Sequence, residues 1–175
     1  MADSLRGQLL IAAPALHDYF RRTVVLVIEH TTDGAMGVVL NRESETLVAD
    51  AVPQLAELAT EEELVRIGGP VSPQSVVALG EFADPAEAGT PVVGSLGTID
   101  PDAENSSLRR IRVFAGYTGW APGQLDDELE QEAWVVTPAQ AGDAFADGDI
   151  WSEALRRKGG NYRLLSTMPA DPSLN

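Results

Sequence analysis

Cysteine is absent from this 175-residue chain, which excludes disulfides, thiolate metal sites and thiol nucleophiles. Histidine is almost as scarce, with His17 and His30 the only two. Lysine occurs once, at Lys158, so the basic side of the charge balance is nearly all arginine. No apolar run approaches the roughly 20 residues of a membrane-spanning helix. The N-terminal MADSLRGQLLIAAP has no basic segment leading into a long apolar core, so no signal peptide is read there. The phosphate loop G-x-x-x-x-G-K-[ST], the dinucleotide fingerprint G-x-G-x-x-G and the nucleophile elbow G-x-S-x-G are all missing. No cofactor and no metal site are expected.

Positive charge is also short. The net charge is −15, which opposes nonspecific binding to nucleic acid, because that binding neutralises phosphates with Lys and Arg. The same sign disfavours anionic membrane surfaces and favours solubility. A cytoplasmic location and no membrane association are expected. The chain is 44% hydrophobic and 22% charged, an ordinary globular composition, and its length suits one domain over residues 1–175 with a frayed tail from about Met168.

The segment TVVLVIEH (Thr23–His30) is β-branched and almost wholly apolar, the pattern of a strand buried on both faces. Thr31–Gly34 make a short turn, and AMGVVLNR (Ala35–Arg42) returns as the partner, which forces an antiparallel hairpin. Gly37 inside the second strand implies a bulge or close packing. Gly7–Ala13, Leu64–Ile67, Val76–Gly80, Val92–Leu96, Trp134–Val136 and Tyr162–Leu165 read as further strands. Glu43–Glu63 has helical spacing interrupted at Pro53, and Ile99–Ser107 reads as one helical turn. Thr137-Pro138-Ala139-Gln140 is a capping-box pattern with proline at the first helical position. Asp149 caps a last helix whose Ile150, Trp151, Ala154 and Leu155 form one apolar stripe, ended by Gly159-Gly160.

The most distinctive stretch is RIRVFAGYTGWAPGQLDDEL, Arg110–Leu129. Its first residues alternate as a strand does. Gly116 and Gly119 then bracket Tyr117 and Thr118, which reads as a forced turn. Pro122 suits the first position of the helix that follows. Ala121 is a poor N-cap, so the N–H groups of Gly123 and Gln124 are left for a ligand oxygen, with Arg112 nearby. The alternative is that water, a carboxylate or another loop satisfies them, with Trp120 plugging the core; Asp126 and Asp127 would also repel an anion. The candidate binding residues are therefore Arg112, Gly116, Tyr117, Gly119, Trp120, Gly123 and Gln124.

Other constellations are thinner. His30 with Glu29 and Asp33 could gather at the hairpin turn, and His17 is followed by Asp18, but a single imidazole beside a turn is more often structural than a metal ligand. Trp120, Trp134 and Trp151 read as core. No catalytic residue is assigned. If the protein were a hydrolase-like enzyme, His30, Asn41 and Arg42 near the hairpin ends would have to share one pocket with the central turn.

In order and spacing, the blocks GQLLIAAP (Gly7–Pro14), FRRTVVLVIEHTTDGAMGVVLNR (Phe20–Arg42), IGGPV (Ile67–Val71) and RVFAGYTGWAPGQLDDELEQEAW (Arg112–Trp134) resemble the AlgH/YqgE family of bacterial proteins. The resemblance implies an α+β fold, a bifurcated antiparallel/mixed sheet forming a partial barrel with helices packed around it. It carries no established activity and no accepted catalytic residues. The AlgH name implies a transcriptional regulator of alginate production, yet no helix-turn-helix pattern is evident and the charge opposes DNA. The expectation is a non-enzymatic regulatory or ligand- and protein-binding module, whose partner is a protein or a small anionic ligand. Nothing in the sequence sets an oligomeric state.

Overall fold

One strand organises the molecule. In the computed structural model, which describes residues 4–14, 16, 18–100 and 106–167, strand β9 runs unbroken from Leu108 to Trp120. The turn predicted at Gly116–Gly119 does not form. Gly116 adopts φ +73° within the strand, and a Cβ there would lie 2.7 Å from the carbonyl oxygen of Gly69. Glycine is needed at this point for close approach between two backbones, so the chain bends locally without ending the strand.

The strand order is β10-β1-β2-β3-β9-β6-β8-β7, with β1 at Gln8–Ala12, β2 at Val24–Thr31, β3 at Gly34–Val39, β6 at Val71–Phe82, β7 at Pro91–Val93, β8 at Leu96–Thr98 and β10 at Trp134–Pro138. Strand β6 covers one edge of β9 from Leu108 to Tyr117. The other edge is shared. Residues 118–120 pair with β3, whereas Phe114 and Ala115 pair in parallel with Arg66 and Ile67 of β5 (Leu64–Ile67). That division forks the sheet, and β4 (Glu43–Leu47) extends the β5 branch. The fold is α+β, as the resemblance implies. The sheet curls without closing: a Cβ on Gly7, just before β1, would sit 2.8 Å from the carbonyl oxygen of Val92 on the far-edge strand β7.

The hairpin β2/β3 forms as expected, and its burial has a simple geometric cause. Successive side chains of a strand point to opposite faces. Val24, Leu26 and Ile28 enter one core with Leu79, Phe114 and Trp151, while Val25 and Val27 enter a second with Trp120, Leu125 and Trp134. A continuous apolar run is what a strand with two buried faces requires. Gly37 serves close packing, since a Cβ there would meet the Leu26 carbonyl oxygen at 2.6 Å. A third cluster, including Val48, Val65, Phe82 and Val113, fills the β5–β6 branch.

Three local expectations are corrected. Glu43–Leu47 is strand β4 and not helix; the partner strand β5 is available, and Ser44 Oγ donates to the Val65 carbonyl at 2.6 Å. Helical structure follows as α1 (Val48–Ala51) and a 3₁₀ turn at Pro53–Leu55, either side of the expected break. Thr137 and Pro138 continue β10, because an edge strand tolerates a proline without an N–H. The capping box is made instead by Gln140 and Asp143, heading the 3₁₀ turn Ala141–Phe145. Tyr162–Leu165 is one helical turn, α4, packed on α3 (Ile150–Lys158); four residues are too few to show a decisive period. The helical turn expected within Ile99–Ser107 and the tail from Met168 fall largely outside the described residues, as does His17. Among the described residues no helix is long and apolar enough to cross a membrane.

Candidate functional site

The residues singled out around the central motif are dispersed along β9 and into the segment after it, and most of them are engaged by neighbouring parts of the chain. Trp120 is buried, and its Nε1 donates to Glu128 Oε1, which also accepts from Trp134 Nε1 at 2.9 Å. The N–H of Gln124 donates to the Ala121 carbonyl at 2.9 Å, and its side chain spans from the Ala121 N–H to Glu128 Oε2. The donor expected to await a ligand at Gln124 is therefore already used. Gly123 caps α2 (Gln124–Glu130) in the left-handed region and Pro122 precedes it, so proline is not the first helical residue. Gly119 pairs with Met36 and Tyr117 with Val71. Arg112 stands eight positions before Trp120, roughly 26 Å along an extended strand. A single surface joining Arg112 to Gly123 and Gln124 does not form.

His30, Asn41 and Arg42 do not converge either. His30 Nδ1 accepts the Leu5 N–H at 2.9 Å. Asn41 accepts from the Val24 N–H and donates to the Arg22 carbonyl, tying the far end of the hairpin. Arg42 donates to the Tyr19 carbonyl and lies over the Tyr19 ring. His30 and Asn41 occupy opposite ends of β2/β3, about 20 Å apart at the rise of a strand. Each is a structural clasp. Among the described residues no group of His, Asp and Glu is arranged to hold a metal ion.

What the fold does gather is a pair of arginines. Arg66 on β5 and Arg112 on β9 are brought side by side by the parallel pairing of these strands, and both are buried, at 4% and 7% exposure. They line a cleft of about 300 Å³ with Glu43, Thr60, Glu62, Glu63, Leu64 and Asp147. Arg66 donates to the Leu40 carbonyl at 3.2 Å and to Asp147 Oδ1 at 2.5 Å, with Glu43 at 3.8 Å. Arg112 donates to the Phe145 carbonyl at 2.8 Å and lies 3.7 Å from the same Asp147 oxygen. The Nε of each is buried without a partner.

Burying two like charges together is costly unless counter-charge is supplied. Here it comes from the rim. The Asp147 side chain is 75% exposed and that of Glu43 54%, so the strongest anionic partner reaches the guanidiniums from solvent on a loop between the Ala141–Phe145 turn and α3. Burial, with Arg66 beside it, holds Arg112 below the ordinary arginine range.

Glu63 belongs to the same field. Burial raises its carboxyl above 4.5, Asp147 adds to the rise, and Arg112 and Arg66 pull against it. Because the folded-state value lies above the unfolded one, the native state holds its proton longer. Stability from this group is then present below pH 4.5 and lost as pH rises through the folded-state value. Glu63→Gln is expected to lessen the decline of melting temperature from pH 4.5 toward neutrality relative to wild type. Parallel melting curves across that range check it; an unchanged slope would show that the Glu63 charge is not felt by the fold.

Arg66, Glu63 and Asp147 were not among the residues singled out from sequence. Arg66 did leave a signal, a charge in the middle of the strand LVRI (Leu64–Ile67), where an apolar residue would be expected. Asp147 left none, being one acid among many in an exposed loop.

Comparison with known proteins agrees with this architecture. The family model DUF179, described as AlgH-like, matches residues 9–163. A UPF0301 protein of Streptomyces coelicolor is 42% identical, covering 99% of this chain and 96% of its own length. A UPF0301 protein of Mycolicibacterium smegmatis is 39% identical, over 97% and 90% respectively. Among solved structures, protein DIP2367 from Corynebacterium diphtheriae superposes with a TM-score of 0.86 at 34% identity, covering 95% of this chain and 93% of that one. The AlgH protein from Pseudomonas aeruginosa does so with a TM-score of 0.70 at 27% identity, covering 97% and 96%. With residues 9–163 matched by the family model and a relative 42% identical over 99% of its length, this chain belongs to the AlgH-like family.

Proposed function

We propose that the protein is a non-enzymatic binding module that takes a small anionic ligand in the Arg66–Arg112 cleft, with any regulatory role exerted through that occupancy. The observation that carries this reading is the pair of buried guanidiniums, each retaining an unpartnered Nε, whose main counter-charge is an exposed carboxylate on a loop. In a chain of net charge −15, the surface as a whole repels anions. An anion site must then be local, built from arginines held in a low-dielectric recess where their field is weakly screened. The lining offers guanidiniums, carboxylates and the hydroxyl of Thr60, with no imidazole or amine. That set is one of charge recognition, guanidinium against carboxylate, and the reading as a non-enzymatic module rests on it.

A thermal-shift screen of small carboxylates and phosphates tests the reading. A ligand present at about 100 times its Kd should stabilise by roughly 2.7 kcal/mol, a shift of several degrees for a chain of this size. The shift should vanish in Arg66→Gln, provided that variant still melts cooperatively. A hit unaffected by Arg66→Gln and by Arg112→Gln would place the anion elsewhere and remove the proposal.

A further inference from the structure

We propose that the ligand of this cleft is a small zwitterion, a free α-amino acid being the simplest case. Its carboxylate would replace that of Asp147 on the two arginines, and its ammonium would lie among Glu43, Glu62 and Glu63. The inference rests on the anion-site reading above and specifies its ligand.

Asp147 shows what the arginine pair accepts. One carboxylate oxygen reaches Arg66 at 2.5 Å and Arg112 at 3.7 Å, so the recess already holds a planar monoanion delivered from outside. The loop that delivers it is weakly tied at this point. The Asp147 side chain is 75% exposed, and Gly148 next to it has φ +87° with nothing within 4 Å of where a Cβ would stand. A ligand carboxylate can take the same position while Asp147 turns to water, where its charge is fully solvated. Guanidinium forks match carboxylates in shape and charge, and the two unpartnered Nε groups show that the donors of the pair are not exhausted by the chain itself.

The rest of the lining then decides what else the ligand carries. With Asp147 withdrawn, two guanidiniums still face Glu43, Glu62 and Glu63, so the cleft has no excess of positive charge to spend on an anion. A phosphate dianion would add like charge against those glutamates. A plain carboxylate would do so to a lesser degree. An α-amino acid adds no net charge and brings a compact cation with three donors to the glutamate side of the cleft. Glu63 has particular need of it, being partly buried and pushed toward its neutral form by that burial. A cleft of about 300 Å³ is at the small end of ligand pockets, as a free amino acid requires.

Calorimetric titration of the full chain decides the matter. The probes are the standard L-amino acids, the deaminated counterpart of any that binds, and inorganic phosphate. At least one amino acid should bind, with its deaminated counterpart weaker by about tenfold or more. Asp147→Asn, once shown to melt cooperatively, should bind the amino acid more tightly because the internal competitor is gone. Glu63→Gln should weaken the amino acid and, by removing a like charge, leave the deaminated acid no weaker than in wild type. Phosphate or the deaminated acid binding as tightly as any amino acid would overturn the zwitterion while leaving the anion site standing. No binding by any probe, to wild type or to Asp147→Asn, would overturn both.

Discussion

Trp151→Ala is expected to lower the free energy of unfolding by about 3–5 kcal/mol, the usual range for deleting a buried tryptophan. Trp151 is 1% exposed at the centre of the main core. It is the residue by which α3 grips the sheet: its Nε1 donates to the Ala12 carbonyl of β1 at 2.8 Å, and the Arg22 guanidinium lies 4.0 Å over its ring. The substitution removes the largest fully buried side chain, opens a cavity and leaves the Ala12 carbonyl without that donor. Urea unfolding followed by far-ultraviolet circular dichroism gives the answer free of the lost fluorophore. Trp151→Phe separates the terms, keeping most of the ring and losing about 1 kcal/mol with the hydrogen bond. A loss in the alanine variant below about 1 kcal/mol would mean that neighbouring side chains collapse into the gap.

The second large effect is expected at Gly69, where the Gly68-Gly69 backbone threads between β3 and β9. The Gly68 carbonyl accepts from the Val39 N–H and from Thr118 Oγ1, and a Cβ on Gly69 would lie 2.2 Å from the Tyr117 carbonyl oxygen. The obstacle is backbone inside a sheet and cannot rotate away as a side chain would. Gly69→Ala should cost more than about 3 kcal/mol or yield no folded protein. Gly123→Ala is the control. It also has positive φ, at +78°, but nothing stands within 4 Å of its Cβ position, so only the conformational penalty of about 1–2 kcal/mol applies. Equal melting temperatures for the two variants would show that crowding at Gly69 is relieved by backbone movement. The same segment sets β5 against β9, so a loosened Gly69 variant should also lose the Arg66–Arg112 pairing and any ligand response with it.

Local chemistry was legible where an element carries its own instructions. The hairpin needed only a β-branched run, a short turn and a second run. Helix α3 is capped by the Asp149 side chain on the Ser152 N–H and closed at Gly159, because capping and chain reversal depend on residues a few positions apart. The three tryptophans were placed in the core from their type and spacing, and they are buried there. Where neighbours decide, the sequence reading strayed. Glu43–Leu47 has helical spacing but lies beside β5, and Pro138 looked like a helix start but closes an edge strand.

The glycines of the central motif separate the two kinds of information. Glycine at 116 permits either a turn or a close backbone approach; the sequence reads as the turn, and the structure has the approach. What passes there is Gly69, from a segment far away in sequence, so the same residue that reads as a turn serves a crossing inside a sheet. The candidate site follows the same logic. Arg112 is a candidate from sequence and Arg66 an odd charge in its strand, but nothing joins them until a parallel register sets Arg66 opposite Phe114, and Asp147 acquires a role only when the loop before α3 folds over them. The sequence by itself determined the hairpin, the capped helix and the burial of the three tryptophans, since propensity, period and caps act within a few residues. Tertiary structure alone decided the course of β9 and the arginine cleft, because both depend on which distant backbones come within hydrogen-bonding distance.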